Sequence, residues 1–271
     1  EYDSPYFFSA QVMANSPIHT IELKTVHRQK EKGFIQLLNN IRAGKIGSQD
    51  LDWWSKLHDP FFNPIDEDDY IVHLTTTNKM AQQRNDYELK KLDSTQHILK
   101  AQSAGSLGTR KMPSEATIKI KKGARIMFTT NDSAKRWVNG TLGEVKHVRK
   151  KGLSKFPILE VDLETGKRVE VEQYKWEIFE YDYRDGGFEE EVVGSYSQYP
   201  IALAWAVTIH KAQGKTFDKV LVDMGWGAFA HGQMYVALSR CTKFKGITLL
   251  KPFRAKDVIV DQAVLDFMNQ S

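Results

Sequence analysis

The residues best suited to chemistry lie in the stretch Tyr199–Thr216, which reads YPIALAWAVTIHKAQGKT. Thr208, His210, Lys211 and Gln213 crowd together just ahead of Gly214, and each carries a side-chain donor for an anion. Such a cluster at the end of an apolar element suits phosphate. The tail, AQGKT, has the last residues of a phosphate-binding loop, G-x-x-x-x-G-K-[ST], but Ile209 stands where the first glycine belongs. A side chain there prevents the close backbone approach that the loop needs, so the stretch is not a phosphate-binding loop of that kind. Gly44-Lys45 and Gly166-Lys167 lack the rest of the pattern. Val220-Leu221-Val222-Asp223 has the form of an NTPase magnesium strand, yet Met224 follows where an acid would help. A buried strand ending in a solvated Asp is the plainer reading.

These residues need elements to position them. Pro200 suits the first turn of a helix. Leu203, Ala206, Val207 and Ile209 recur at helical spacing, so the pattern predicts a helix that stops at Gly214. Upstream, Ile18–Leu23 reads as a short strand. Phe34, Leu37, Leu38 and Ile41 mark one face of a helix ended by Gly44. Ser48 is expected to cap a second helix carrying Leu51, Trp54 and Leu57, with Trp53-Trp54 as core. The acids of 66–69 read as a solvated loop. Residues 70–74 form an apolar run expected to be a buried parallel strand. Thr75-Thr76-Thr77-Asn78 then opens a helix to about Leu92, and donors at a helix N-terminus favour an anion. Ordinary capping by Thr76 or Thr77 is an equally simple reading.

Gln96–Ser114 is broken by Gly105, Gly108 and Pro113 and reads as an irregular connection. Ile118–Phe128 predicts two strands around a glycine turn. From Thr141 the pattern is short-period β, with a hairpin whose arms carry Leu159, Val161 and Leu163, then Val169 and Val171. Several short strands in so short a span suggest a small barrel, with the basic tip Lys150 and Lys151 solvated. The segment 185–191 reads as an exit linker. Residues 232–240 form a helix with Gln233, Val236 and Arg240 on one face, followed by a strand over 246–250 and an amphipathic helix over 257–268. Strands alternating with helices outside the β-rich part argue an α/β fold with a parallel sheet.

The 271 residues suffice for one large or two modest domains. The net charge of +4, from 38 Lys+Arg against 34 Asp+Glu, is too mild to argue for nucleic acid by itself. Cys241 has no second cysteine, which rules out an intrachain disulfide and fits a reducing compartment. No apolar run is long enough for a membrane helix, and no metal-ligand spacing is present. The polar, abrupt N-terminus suits an excised fragment.

TIHKAQGKTFDKVLVDM, followed by GQMYVALSRCTKFKGITLL, resembles motifs V and VI of superfamily 1B DNA helicases, the branch that includes RecD-like and Pif-type enzymes. The resemblance implies the C-terminal half of such an enzyme. Residues 1–140 and 195–271 would form the second RecA-like motor domain, and 141–194 an inserted Src-homology-3-like (SH3-like) β-barrel. It implies ATP with Mg2+, held mainly by an N-terminal RecA-like domain, and 5′-to-3′ movement on single-stranded DNA. It further implies a monomer without membrane attachment, in the bacterial cytoplasm or another reducing intracellular compartment. By the same resemblance Arg28, in the motif IV segment Thr25–Gln29, and Arg240, at the end of motif VI, act on the γ-phosphate as arginine fingers. Gln29, Gln213 and Gly214 lie near the nucleotide. Thr77, Asn78, Thr208, His210 and Lys211 lie along the DNA. The competing reading is a non-catalytic module that binds single strands or docks a partner. Two arginines in separate motifs favour the helicase, since a plain binder has no use for a γ-phosphate sensor. With no phosphate-binding loop, the chain by itself is expected not to hydrolyse ATP. A purified sample that turns over ATP in the presence of single-stranded DNA, above contaminant rate, would overturn this.

Overall fold

The computed structural model describes residues 4–15, 21, 25–63, 71–110, 112–150, 152, 155–184 and 187–270. The strand expected over 18–23 (but for Ile21), the acidic loop over 66–69 and Lys151 lie outside these. In chain order the helices are α1 (Gln11–Asn15), α2 (Lys32–Arg42), α3 (Ser48–Ser55), α4 (Asn78–Lys91), α5 (Gln233–Leu238) and α6 (Gln262–Gln270). The strands begin with β1 (Val72–Thr75), β2 (His97–Lys100), β3 (Gln102–Gly105), β4 (Thr117–Ile120) and β5 (Arg125–Phe128). They continue with β6 (Leu142–Arg149), β7 (Ile158–Leu163), β8 (Arg168–Val171), β9 (Tyr174–Arg184) and β10 (Gly187–Gln198). The last are β11 (Ile201–Leu203), β12 (Ala206–Thr208), β13 (Val220–Asp223) and β14 (Ile247–Leu249). The chain divides into two compact units, 1–62 with 216–271, and 63–215.

In the first unit, β13 and β14 run parallel, with Val220 opposite Ile247 and Val222 opposite Leu249. Helix α2 buries the face expected of it, Phe34, Leu37, Leu38 and Ile41. The cap of α3 is Gly47, one residue ahead of Ser48, because the Gly47 N–H donates to the Asp50 carboxylate at 2.9 Å. Trp54 is fully buried and stacks on Phe253 at 5.4 Å, whereas Trp53 is half exposed under the Lys56 ammonium. Helix α6 starts at Gln262, later than expected. Residues 255–257 make a separate 3-10 turn, and the Asp261 carboxylate accepts the Ala263 N–H at 2.9 Å to open the helix.

The second unit corrects the largest expectation. Tyr199–Thr208 is not a helix but two strands. β11 pairs antiparallel with β5, and β12 pairs parallel with β1. Ala206, Val207 and Thr208 are all buried. A strand buried on both faces shows no alternation, so its apolar spacing is indistinguishable from that of a buried helix. Asn85 of α4 fixes β12. Its side-chain oxygen accepts the Ala206 N–H, and its amide donates to the carbonyls of Ala206, at 2.8 Å, and Leu203. The first part of Gln96–Ser114 is likewise not irregular, since it contains β2, paired with β4, and β3, paired with β10, whereas the described residues after Gly105 are irregular as expected. The expected linker over 185–191 is also corrected. Residues 187–191 continue β10, which pairs antiparallel with β9 from Gly187 opposite Arg184 to Gln198 opposite Tyr174. Tyr and Val favour this ribbon, and its acids are tolerated because they are exposed. A five-stranded sheet, ordered β11-β5-β6-β7-β8, encloses a core that includes Ile126, Phe128, Val161, Tyr199 and Trp205.

Asn85 therefore holds a strand through a buried amide, and removing it leaves buried backbone groups unpaired. Asn85→Ala is expected to cost about 2–3 kcal/mol, read from urea denaturation. A loss within about 0.5 kcal/mol would show that β12 does not depend on it.

Candidate functional sites

The first unit brings together Arg28, Gln29 and Arg240. Ser239 caps the carboxyl end of α5, and its N–H still bonds the Tyr235 carbonyl. The Ser239 carbonyl accepts Arg28 Nη1 at 3.0 Å and Gln29 Nε2 at 3.0 Å. The Ser239 hydroxyl accepts Arg240 Nη2 at 2.8 Å. Arg240 Nε donates to the Val236 carbonyl at 2.9 Å, and Arg28 Nε donates to Thr216 Oγ1 at 2.9 Å. Gln29 is buried, with its amide also donating to the Cys241 carbonyl at 2.7 Å, so it holds the backbone on both sides of Arg240. Arg240 is 7% exposed. Burial, and next the charge of Arg28, press its guanidinium pKa down from the usual value. A site that presses a guanidinium pKa down is one that an anion would relieve. The pair thus favours an anion at the nitrogens it does not already spend on Thr216, Ser239 and Val236. No group of His, Cys, Asp or Glu among the described residues could hold a metal ion.

The second unit brings together Thr77, Asn78, Thr208, His210 and Lys211. β1 and β12 are parallel and in register, Thr75 opposite Thr208, so both of the following loops leave from the same carboxyl edge. The Ile209 N–H donates to the Thr75 carbonyl at 2.8 Å and ties the loops together. Thr77 caps α4, its hydroxyl accepting the Met80 N–H at 3.3 Å, the ordinary capping weighed for that turn. Asn78 is exposed at the first turn of this 14-residue helix, where the dipole favours an anion. Thr208 is buried, and its hydroxyl accepts the Lys211 N–H at 3.2 Å. It shapes the turn that presents His210 and Lys211, both exposed. Gln213 and Gly214 stand exposed in that same turn, Gly214 at φ +81°, a conformation that favours glycine. Lys215 does not act as a phosphate-loop lysine. Burial lowers its pKa, and its ammonium donates to Asn139 Oδ1 at 2.7 Å.

Sequence reasoning misses Ser239, Thr216 and Asn85. The Ser of the motif VI wording, directly before Arg240, is the available signal for Ser239. Thr216 reads only as the end of a loop that lacks its first glycine, and nothing marks Asn85 among the polar residues of α4.

The chain is similar to Pif1 helicases over almost all of its length. It is 30% identical to the ATP-dependent DNA helicase Pif1 of Bdellovibrio bacteriovorus over 94% of this chain and 55% of that protein. It matches the structure of unliganded Pif1 from Bacteroides sp with a TM-score of 0.83, 32% identity and coverage of 99% of this chain and 61% of that one. It matches Bacteroides Pif1 in complex with ADP-AlF3 and single-stranded DNA with a TM-score of 0.75, again at 32% identity, over 99% of this chain and 60% of that one. The chain spans about half the length of the curated relatives it matches, or less. No family model matches it.

Cys241, beside Arg240 and under the Gln29 amide, reports on this packing. Burial pushes its thiol up from 9.0 to about 11. The folded pKa exceeds the unfolded one, so the contribution is complete below about pH 9 and is lost as pH rises toward 11. Urea denaturation across that window should show stability falling by up to about 2 kcal/mol more in the parent than in Cys241→Ala. Tyr199, pushed by burial to about 12, acts in the same direction in both proteins. Parallel curves would mean that the thiol is not buried.

Proposed function

We propose, from the premise that this chain is a relative of the Pif1 helicases, that it is a motor portion of an ATP-dependent DNA helicase. In this reading Arg28 and Arg240 act on the γ-phosphate of ATP, which with Mg2+ is held mainly by an N-terminal RecA-like domain of the same protein. Phosphoryl transfer spreads negative charge over the γ-phosphate oxygens, and guanidinium groups stabilise it. Gln29, Gln213 and Gly214 lie near the nucleotide, Gln29 holding the backbone on both sides of Arg240. The exposed donors Asn78, His210 and Lys211, with the Thr77 cap and the Thr208 turn behind them, bind the backbone of single-stranded DNA, tracked 5′ to 3′. Residues 1–140 and 195–271 are read as a RecA-like motor domain, and residues 141–194, which contain β6 to β9 and most of β10, as an inserted SH3-like barrel. The observation that carries the reading is the convergence of Arg28 and Arg240 on Ser239, an arrangement that favours an anion. Relatives with structures bound to ADP-AlF3 and single-stranded DNA support it.

Arg240→Lys in the full-length protein keeps a charge but loses the bidentate fork. It is expected to slow ATP turnover on the order of 10³-fold, while single-strand affinity without nucleotide changes less than about twofold. Arg28→Lys should behave alike. Steady-state ATPase rates and DNA-binding anisotropy measure both. A variant that lost DNA affinity yet kept its turnover would overturn the role given to that arginine and favour a plain binding module.

A further inference from the structure

We propose that the loop 224–232, between β13 and α5, is a second contact for single-stranded nucleic acid, with Trp226 as a base-stacking platform. The inference rests on the nucleic-acid reading above and adds a site to it.

Trp226 is 99% exposed, and Phe229 nearby is 67% exposed. An aromatic left in water is ordinary on a loose loop, but this loop is braced. The carboxylate of Asp257, 3% exposed, is held by Arg254 through two bonds of 2.8 and 2.9 Å and accepts the Ala228 N–H at 3.3 Å. Arg254 also donates to the Trp226 carbonyl at 3.2 Å. Gly227 takes φ +132°, and a Cβ on it would lie 2.7 Å from Asp257 Oδ1, so the chain can pass over the ion pair only as glycine. The Gly227 N–H closes a turn on the Met224 carbonyl at 2.8 Å, and the Gly225 N–H bonds Asp223 at 2.8 Å. The backbone is fixed, and the indole at its tip is presented to solvent.

The charge around the indole identifies the ligand. The Lys251 ammonium lies 5.6 Å from the centre of the Trp226 ring and donates to the Gly225 carbonyl. Lys256 is exposed and Arg254 partly so. The carboxylates of Asp223 and Asp257 bond backbone N–H groups of the loop itself. The loop follows the carboxyl end of β13, and Lys251 follows that of its parallel neighbour β14, the edge at which open α/β sheets bind ligands. A fixed aromatic face with the Lys251 ammonium beside it fits a base together with its phosphate, because every base has a π-face and a cation follows the backbone. The Lys251 ammonium beside the ring distinguishes this loop from a purely apolar docking face.

The test is binding of fluorescein-labelled oligo-dT to the chain at low salt, read by anisotropy and by quenching of tryptophan fluorescence. Trp226→Ala should weaken binding about tenfold, and Trp226→Phe, which still stacks, should stay within about threefold of the parent. Both should lose the part of the quench that the parent shows, while their melting temperatures stay unchanged. Lys251→Gln should flatten the dependence of log affinity on log salt by about one. Equal affinity and equal quench in the parent and Trp226→Ala would overturn the stacking site while leaving the helicase reading intact. A parent that does not bind oligo-dT at all would overturn the nucleic-acid reading itself, and this site with it.

Discussion

The carbonyl of Ser239 accepts one donor from Arg28 and one from Gln29, and the Ser239 hydroxyl accepts a third from Arg240. This is the end of α5, where a helix leaves carbonyls without partners. Arg240 uses a second of these, the Val236 carbonyl. Those oxygens carry the negative end of the peptide dipoles, so they draw in cations that repel each other. The repulsion is not abolished, for burial and Arg28 together still hold the Arg240 pKa down. The helix end gathers the two guanidinium groups, and the remaining electrostatic imbalance is what a phosphate would relieve. Gln29 matters because it is neutral. It fills the same carbonyl as Arg28 without adding a third charge.

The second unit uses a parallel strand pair in the same economical way. Parallel pairing sends both chains out at one edge, so the loops after β1 and β12 share it without a connecting residue between them. Holding β12 there falls to Asn85, which bonds both the N–H and the carbonyl of Ala206 and so does for an edge of this strand what a further strand would do. The hydroxyls of Thr208 and Thr77 are spent on backbone N–H groups, which leaves His210, Lys211 and Asn78 as the exposed donors of this edge.

Much of this is legible in the sequence, and what is not has a physical reason. The α2 face is legible because its four apolar residues recur at helical spacing and only one face is buried. The β6–β8 hairpins are legible because alternation survives where one face is wet, as in the alternating burial along β7. Ala206–Thr208 misleads because total burial erases that alternation. Residues 187–191 mislead for the opposite reason, since exposure of the ribbon lets acids occupy strand positions that composition assigns to a linker. At the sites, the arginines are legible from motif wording. The groups that hold them are not, because Ser239 reaches Arg28 across 211 positions of sequence and local pattern carries no trace of such a contact.

The run Thr208–Thr216 joins the two kinds of site through a single covalent segment. It begins with the hydroxyl that shapes the His210 and Lys211 turn and ends with Thr216, whose hydroxyl accepts Arg28. Between them Ala212 is buried at the middle of the segment, and Lys215, directly before Thr216, is anchored to Asn139. On the proposed reading, a ligand at either end influences the other only if it binds two arrangements of this segment with different affinity. The AQGKT tail lacks the glycine needed to cradle phosphate, and its lysine and threonine serve another purpose. Each bonds a neighbouring side chain, Asn139 for Lys215 and Arg28 for Thr216, and so holds the segment in place.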